Sequence, residues 1–136
     1  MTLTVDTSVV IPALASWHES HSVARKACRE VTGLTAHALL EAISVLTRLP
    51  SGLALAAAPA VSVVRRKFPD EPLSLTGAEF AALAERIAAA GLRGGQVYDA
   101  LVAATAASRG ARLLSLDTRA IPTYRAIGAD YELLTG

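Results

Sequence analysis

Hydrophobic and polar positions along the chain keep two rhythms, one close to the helical period and one of alternation, and each switch between them marks an element boundary. Leu3–Asp6 reads as a short strand. Thr7 and Ser8 follow it as turn or cap residues, and helical character continues through Ser16 to Glu30. Gly33-Leu34-Thr35 is a weak second strand. Ala36 to Leu49 carries apolar positions almost all round, which predicts a core helix closed by Pro50-Ser51-Gly52. Leu53 to Val64 is Ala-rich and reads as helical around Pro59, Arg65 to Pro72 as a charged, proline-bounded loop, and Leu73-Ser74-Leu75 as a short third strand. Thr76 and Glu79 form a capping box that opens a helix stopping at Gly91. Gly94-Gly95 lead into another helix from Gln96, ended by Gly110. Ala111 to Leu116 is the clearest strand; Asp117-Thr118-Arg119, a helix near Ala120–Ile127, Gly128 and a last strand over Asp130–Leu134 complete the pattern.

Strands separated by helices need crossover connections, so the pattern predicts an α/β fold of three layers, α/β/α, around a mainly parallel sheet of four to five short strands. One domain over 1–136 is expected, with no repeat or linker. A chain of 136 residues can bury roughly two-thirds of the surface it exposes when unfolded. Its composition, 52% hydrophobic but only 4% aromatic, favours closely packed helices on a small sheet over an aromatic-rich β-sandwich.

Cys28 is the sole cysteine, which excludes an internal disulfide framework and fits a reducing compartment. No window is apolar enough to span a membrane, and Met1 to Asp6 carries no secretory pattern, so a cytoplasmic protein without a membrane partner is expected. The net charge of +1 conceals a distribution: 13 basic residues, 11 of them Arg, against 12 acidic ones. Four carboxylates set aside in a site leave +5 on the remaining surface, in arginines whose planar forks suit phosphate.

Those four carboxylates are Asp6, Glu41, Asp99 and Asp117. Asp6 and Asp117 close strands, and ligands of open α/β sheets bind outside the carboxyl ends of strands. Glu41 and Asp99 sit early in apolar helices, with no acid or Lys/Arg one turn away on their own helix. Each has an ordinary explanation taken singly: Asp6 as a helix cap, Asp99 at the positive end of a helix dipole, Asp117 in a turn, Glu41 facing solvent. Together they exceed what capping requires. Gathered without a cation they would raise one another's pKa by repulsion and desolvation. A hard divalent cation, Mg²⁺ or Mn²⁺, resolves that conflict because it takes oxygen ligands and keeps waters for chemistry.

The ordered segments V-D-T-S-V-V-I-P, H-A-L-L-E-A-I-S-V-L-T-R-L-P, V-Y-D-A-L-V-A-A-T-A and L-L-S-L-D-T-R, followed by Y-R-A-I-G-A-D-Y-E-L-L, resemble PIN-domain ribonucleases, more narrowly VapC-type toxins of bacterial toxin–antitoxin pairs. The resemblance covers nearly the whole chain. It places Asp6, Glu41, Asp99 and Asp117 on the family's acidic quartet and Thr7 or Ser8 on its hydroxyl position, with Thr118 beside the fourth acid. Many relatives carry a further acid shortly after the fourth, where this chain has Thr118-Arg119-Ala120.

The resemblance implies a PIN-like fold and a Mg²⁺- or Mn²⁺-dependent endoribonuclease. Asp6 and Asp99 would be the principal metal ligands, and Asp117 and Glu41 would bind directly or through water and help to orient the nucleophile. A coordinated water would attack in line, leaving a 5′-phosphate and a 3′-hydroxyl. Structured RNA exposing a single-stranded loop, in tRNA or rRNA, is the expected substrate. Arg65, Arg66, Lys67, Arg93, Arg112 and Arg119 are candidates for holding its phosphates, with ordinary solvated surface as the alternative. The family also implies a homodimer and a VapB-type antitoxin; Leu53–Val64 would serve such an interface or the core. His18, His21 and His37 form no evident acid–base pair, and Tyr98 reads as a helix-packing residue.

Other readings fit less well. A haloacid-dehalogenase phosphatase needs a second Asp where Ser8 stands. A response-regulator receiver needs paired acids after the first strand and a Lys after the last. A catalytically silent PIN-like protein-binding module would keep the fold without the quartet.

Overall fold

Three parallel strands set the frame. In the computed structural model, which describes residues 2–135, β1 (Thr2–Val5) and β3 (Tyr131–Leu133) flank β2 (Ala111–Ser115). The two terminal residues of the expected domain lie outside that range. Val5 pairs with Leu114 and Ser115 with Leu133, so all three strands end at one edge. Between β1 and β2 run α1 (Thr7–Leu14), α2 (His21–Ala27), a 3-10 turn at Cys28–Glu30, α3 (Ala36–Thr47), α4 (Ala57–Lys67), α5 (Gly77–Ala90) and α6 (Gly95–Ser108); α7 (Ile121–Ile127) crosses from β2 to β3.

Alternation along β2 divides the interior. Leu114 and Val5 join Val9, Val10, Val31, Val64 and Phe68 in one core, whereas Leu113 and Ala111 join Ala100, Ala103, Tyr124 and Ile127 in the other. Helices therefore cover both faces, giving the three-layer α/β/α arrangement that the sequence pattern predicts. Burying each large apolar side chain contributes about 1.5–3 kcal/mol, and alanines let α6 approach the sheet closely.

The sheet is smaller than expected. Among the described residues it has three strands instead of four or five, because Gly33–Thr35 and Leu73–Leu75 meet only in a single parallel bridge, Thr35 with Leu73. Thr35 already caps α3, its hydroxyl accepting from Ala38 N at 3.2 Å, so the strand has no length left to grow. The first helix starts earlier than expected, at Thr7, because Asp6 caps it; it ends at Leu14, soon after the internal Pro12, and Ser16 to Ser20 is turn. Arg65, Arg66 and Lys67 are not loop residues but the last turn of α4, which stops at Phe68, the residue before Pro69. In α3 only Ala38, Ala42 and Leu46 are buried, and Leu40 is 67% exposed, so that helix lies on the surface by one face. Among the described residues no helix is long and apolar enough to cross a membrane.

Candidate functional site

The carboxyl edge of the sheet opens into a cleft of about 540 Å³ lined by Asp6, Glu41, Asp99 and Asp117. Four positions spread over the chain thus reach one place, each carried by a different element. Strand β1 ends at Val5 and turns into α1 through Asp6, whose Oδ1 accepts from Ser8 N at 3.1 Å as the helix cap. Asp117 lies two residues beyond β2 and accepts at Oδ1 from Arg119 N at 3.0 Å, while its own N–H donates to Ser115 Oγ at 3.0 Å. Glu41 projects from α3. Asp99 stands in the first turns of α6, whose start is shaped by Gly94, with φ +60° and ψ −133°, a backbone conformation that a Cβ disfavours.

Asp6 is only 6% exposed, and its environment is closely specified. Ser8 Oγ donates to Oδ1, and the hydroxyl of Tyr124, buried in the opposite core, donates to Oδ2 at 2.6 Å. Ser8 Oγ accepts in turn from Leu116 N at 2.8 Å, stitching α1 to the end of β2. Burial pushes the Asp6 pKa up, the hydrogen bonds from Ser115, Ser8 and Tyr124 oppose the rise, and Asp117 adds to it. Burial and the Asp6 charge push the Tyr124 hydroxyl up too, so Tyr124 keeps its proton and remains a donor.

Asp99 shows the electrostatic consequence of the gathering. Its pKa is raised from 3.8 to about 6, first by burial and then by Asp117, Asp6 and Glu41, with His37 partly opposing them. Protein cations do little to neutralise the cleft. Arg119 lines it, but its side chain is 94% exposed and its Nε stands 3.9 Å from Asp117 Oδ1. His37 Nε2 lies 3.7 Å from Glu41 Oε2, and Thr7 Oγ1 donates to Glu41 Oε1 at 2.5 Å, fixing α1 to α3.

Uncompensated hard oxygen donors suit a divalent cation. As they stand they are not drawn round one: among the described residues no three His, Cys, Asp or Glu side chains form a metal-holding group. Asp6 is oriented by Ser8 and Tyr124, and Asp117 Oδ1 by the backbone of Arg119.

The family model for the PIN domain matches residues 3–126. The chain belongs to the PIN domain family. This PIN domain is 38% identical over 130 residues to "Ribonuclease VapC40" of Mycobacterium tuberculosis, an alignment spanning 96% of this chain and 97% of that one. It is 45% identical over 128 residues to "Ribonuclease VapC27" of the same species, across 93% and 92% of the two chains.

Other candidates in this PIN domain separate under the geometry. Thr7 and Ser8 line the cleft, whereas Thr118 is exposed outside it. Of the five arginines proposed for phosphate, Arg119 alone lines the cleft. Arg65 is committed to the end of α4, donating to the carbonyls of Phe68, Pro69 and Asp70 at 3.0–3.1 Å. Arg112 stands between Asp130 and Glu132 at 3.8 and 3.6 Å, so its charge is largely answered. Arg66 donates to Ser62 on its own helix, and Arg93 sits in the exposed turn before α6. Tyr98 is 55% exposed and packs α6 against α3 by stacking on His37, 5.0 Å between centroids and 3° between planes, at the cleft wall. Tyr124 and Ser115 are the residues that sequence reasoning missed. The signal for Tyr124 was indirect: a buried Asp6 demands a donor, but the chain offers three tyrosines and no local spacing selects one.

Proposed function

We propose that this PIN domain is the endoribonuclease toxin of a VapC-type toxin–antitoxin pair, cutting a phosphodiester of structured RNA in the acidic cleft and so inhibiting translation. One observation carries the reading: four carboxylates from separate elements share the cleft, and the pKa of Asp99 is raised by burial first and then by the other three. A fold gains nothing from such a cluster by itself. The similarity to two proteins named ribonucleases supports it.

Asp6, Asp99 and Asp117 would hold Mg²⁺ or Mn²⁺, which when bound supplies Lewis-acid polarisation of the phosphate and a water of lowered pKa. Asp6 enters that role preset: Tyr124 and Ser8 fix its rotamer and keep it from drifting. Glu41, held by Thr7, would orient a water or take its proton. Among the described residues Arg119 is the one Lys or Arg that lines the cleft, and it would meet a substrate phosphate. A VapB-type antitoxin and homodimer assembly belong to the same reading.

The test is total bacterial RNA incubated with wild type or Asp99→Asn, in Mg²⁺ or Mn²⁺ and in EDTA, with new 5′ ends mapped by sequencing. Discrete 5′-phosphate ends that need both the metal and Asp99 are expected. Cleavage indifferent to either would remove the quartet mechanism, and no cleavage by folded, antitoxin-free protein would leave a silent binding module.

A further inference from the structure

An acidic cleft that repels phosphates at short range needs cations close by to bring RNA to it, and the cleft itself supplies little beyond Arg119. The arginines first nominated for that purpose are mostly engaged elsewhere. A second cavity, of about 600 Å³, answers the need: Arg25, Lys26 and Arg29 from α2 and the turn after it, Lys67 from α4, and His21 line it, and no acid does. Among the described residues none of its four Lys and Arg side chains is in an ion pair. In a chain of net charge +1 this is an unusual local excess.

Helix-end electrostatics account for part of it, since Arg25 and Lys26 stand in the last turn of α2. They do not account for Lys67, which arrives from another helix. Lys67 Nζ donates to Cys28 O at 3.0 Å and lies 5.9 Å from the Phe68 ring centroid, so one cation of the pocket is positioned and not merely tethered. His21 is positioned as well: its Nδ1–H donates to Pro12 O at 2.7 Å, which leaves Nε2 as its free nitrogen.

The two cavities are neighbours along the chain and in space. Pro12, His18 and Ser20 line the acidic cleft, and Ala13, His21 and Ser22 line the basic one, so the end of α1, the turn after it and the start of α2 form the wall they share. We propose that the basic pocket on α2 and α4 is the track for the RNA backbone, holding phosphates of the same strand whose scissile bond lies in the cleft. This rests on the reading of the cleft as a phosphodiester-cleaving site.

The experiment compares full-length wild type with the combined variant Arg25→Gln, Lys26→Gln, Arg29→Gln, and with Arg65→Gln, Arg66→Gln as a control. Binding of a fluorescein-labelled single-stranded RNA is followed by anisotropy in EDTA over a series of salt concentrations. Three lost phosphate contacts should make the slope of log affinity against log salt shallower by about 2 and weaken binding by about tenfold or more at low salt, with the control unchanged. Because the three side chains are exposed, the fold should be retained; Lys67→Gln, from a different helix, should reduce the slope by a further step of about 0.7. Bis(p-nitrophenyl) phosphate, which has a single phosphate and so none left for the basic pocket, should be hydrolysed in Mn²⁺ equally by wild type and triple variant.

Unchanged RNA affinity and slope in the triple variant overturn the proposal. So does loss of binding to polyglutamate with RNA binding intact, which would assign the pocket to an acidic polypeptide. Hydrolysis of neither RNA nor the small diester, with RNA binding still dependent on the α2 cations, would remove the reading of the cleft and leave the RNA track standing.

Discussion

Asp99 and Glu79 occupy comparable places, each early in a 14-residue helix, and the fold treats them in opposite ways. Glu79 takes a hydrogen bond from Thr76 N at 2.8 Å, returns the favour through the capping box, and pairs with Arg109; its carboxyl is held below its ordinary 4.5, chiefly by the Thr76 backbone. Asp99 has no such partners, faces three other acids, and is held up at about 6. One carboxylate serves its helix and the other is kept against its own solvation. That contrast separates structural acids from those of a site more reliably than either residue's surroundings in the sequence.

The largest effect should come from exchanging Asp99 for its neutral isostere. Asp99→Asn should lower the Mg²⁺-dependent rate of RNA cleavage by at least about 10²-fold, the scale of removing one preorganised charged group from a site. Glu79→Gln should leave that rate unchanged, and equal losses in the two variants would erase the distinction. Next is Tyr124→Phe, which removes the 2.6 Å bond to a buried carboxylate and should cost about 2 kcal/mol in urea unfolding. Thr76→Ala, on the structural side of the comparison, should cost about 1 kcal/mol of stability and nothing in cleavage.

In metal-free protein Asp99→Asn should do the reverse of an ordinary site mutation and stabilise the fold at neutral pH by about 1 kcal/mol. That figure discounts the rise from 3.8 to about 6 for a side chain half in water. The smallest effect is its pH dependence. A folded pKa above the unfolded one means that the folded chain takes up the proton first, so this penalty is full near neutrality and is relieved as pH falls through about 6 toward 4. Between those limits wild type in EDTA should gain stability relative to Asp99→Asn in parallel urea melts. Glu79 works with the other sign: its contribution is present above 4.5 and lost as pH falls through its lowered value.

Local signals made much of the fold legible. The Thr76–Glu79 box, the glycine stops at Gly91 and Gly128 and the apolar run of β2 are all decided within a few residues, and each appears where the pattern predicts it. The quartet could be nominated because carboxylates at strand ends and in apolar helices have few comfortable roles. Non-local facts were not legible. Tyr124 reaches Asp6 across 118 positions, and Tyr98 meets His37 from another helix, contacts that no periodicity encodes. Arg65 to Lys67 looked like loop because they are charged and precede Pro69, but Arg and Lys are good helix formers and the proline restrains only Phe68. The basic pocket was invisible for the same reason: Lys67 joins the α2 cations only through the packing of α4.

The central claim is that burial and, after it, the charges of Asp117, Asp6 and Glu41 hold the Asp99 carboxyl up, and that a cation in the cleft relieves this. Its most direct test is a carbon-13 carboxyl titration of Asp99 by NMR, without metal and with saturating Mg²⁺. The account predicts a midpoint near 6 in the metal-free protein, well above the ordinary 3.8, and a downward move of at least about one pH unit when Mg²⁺ is added. A midpoint near 3.8 that ignores Mg²⁺ would contradict it.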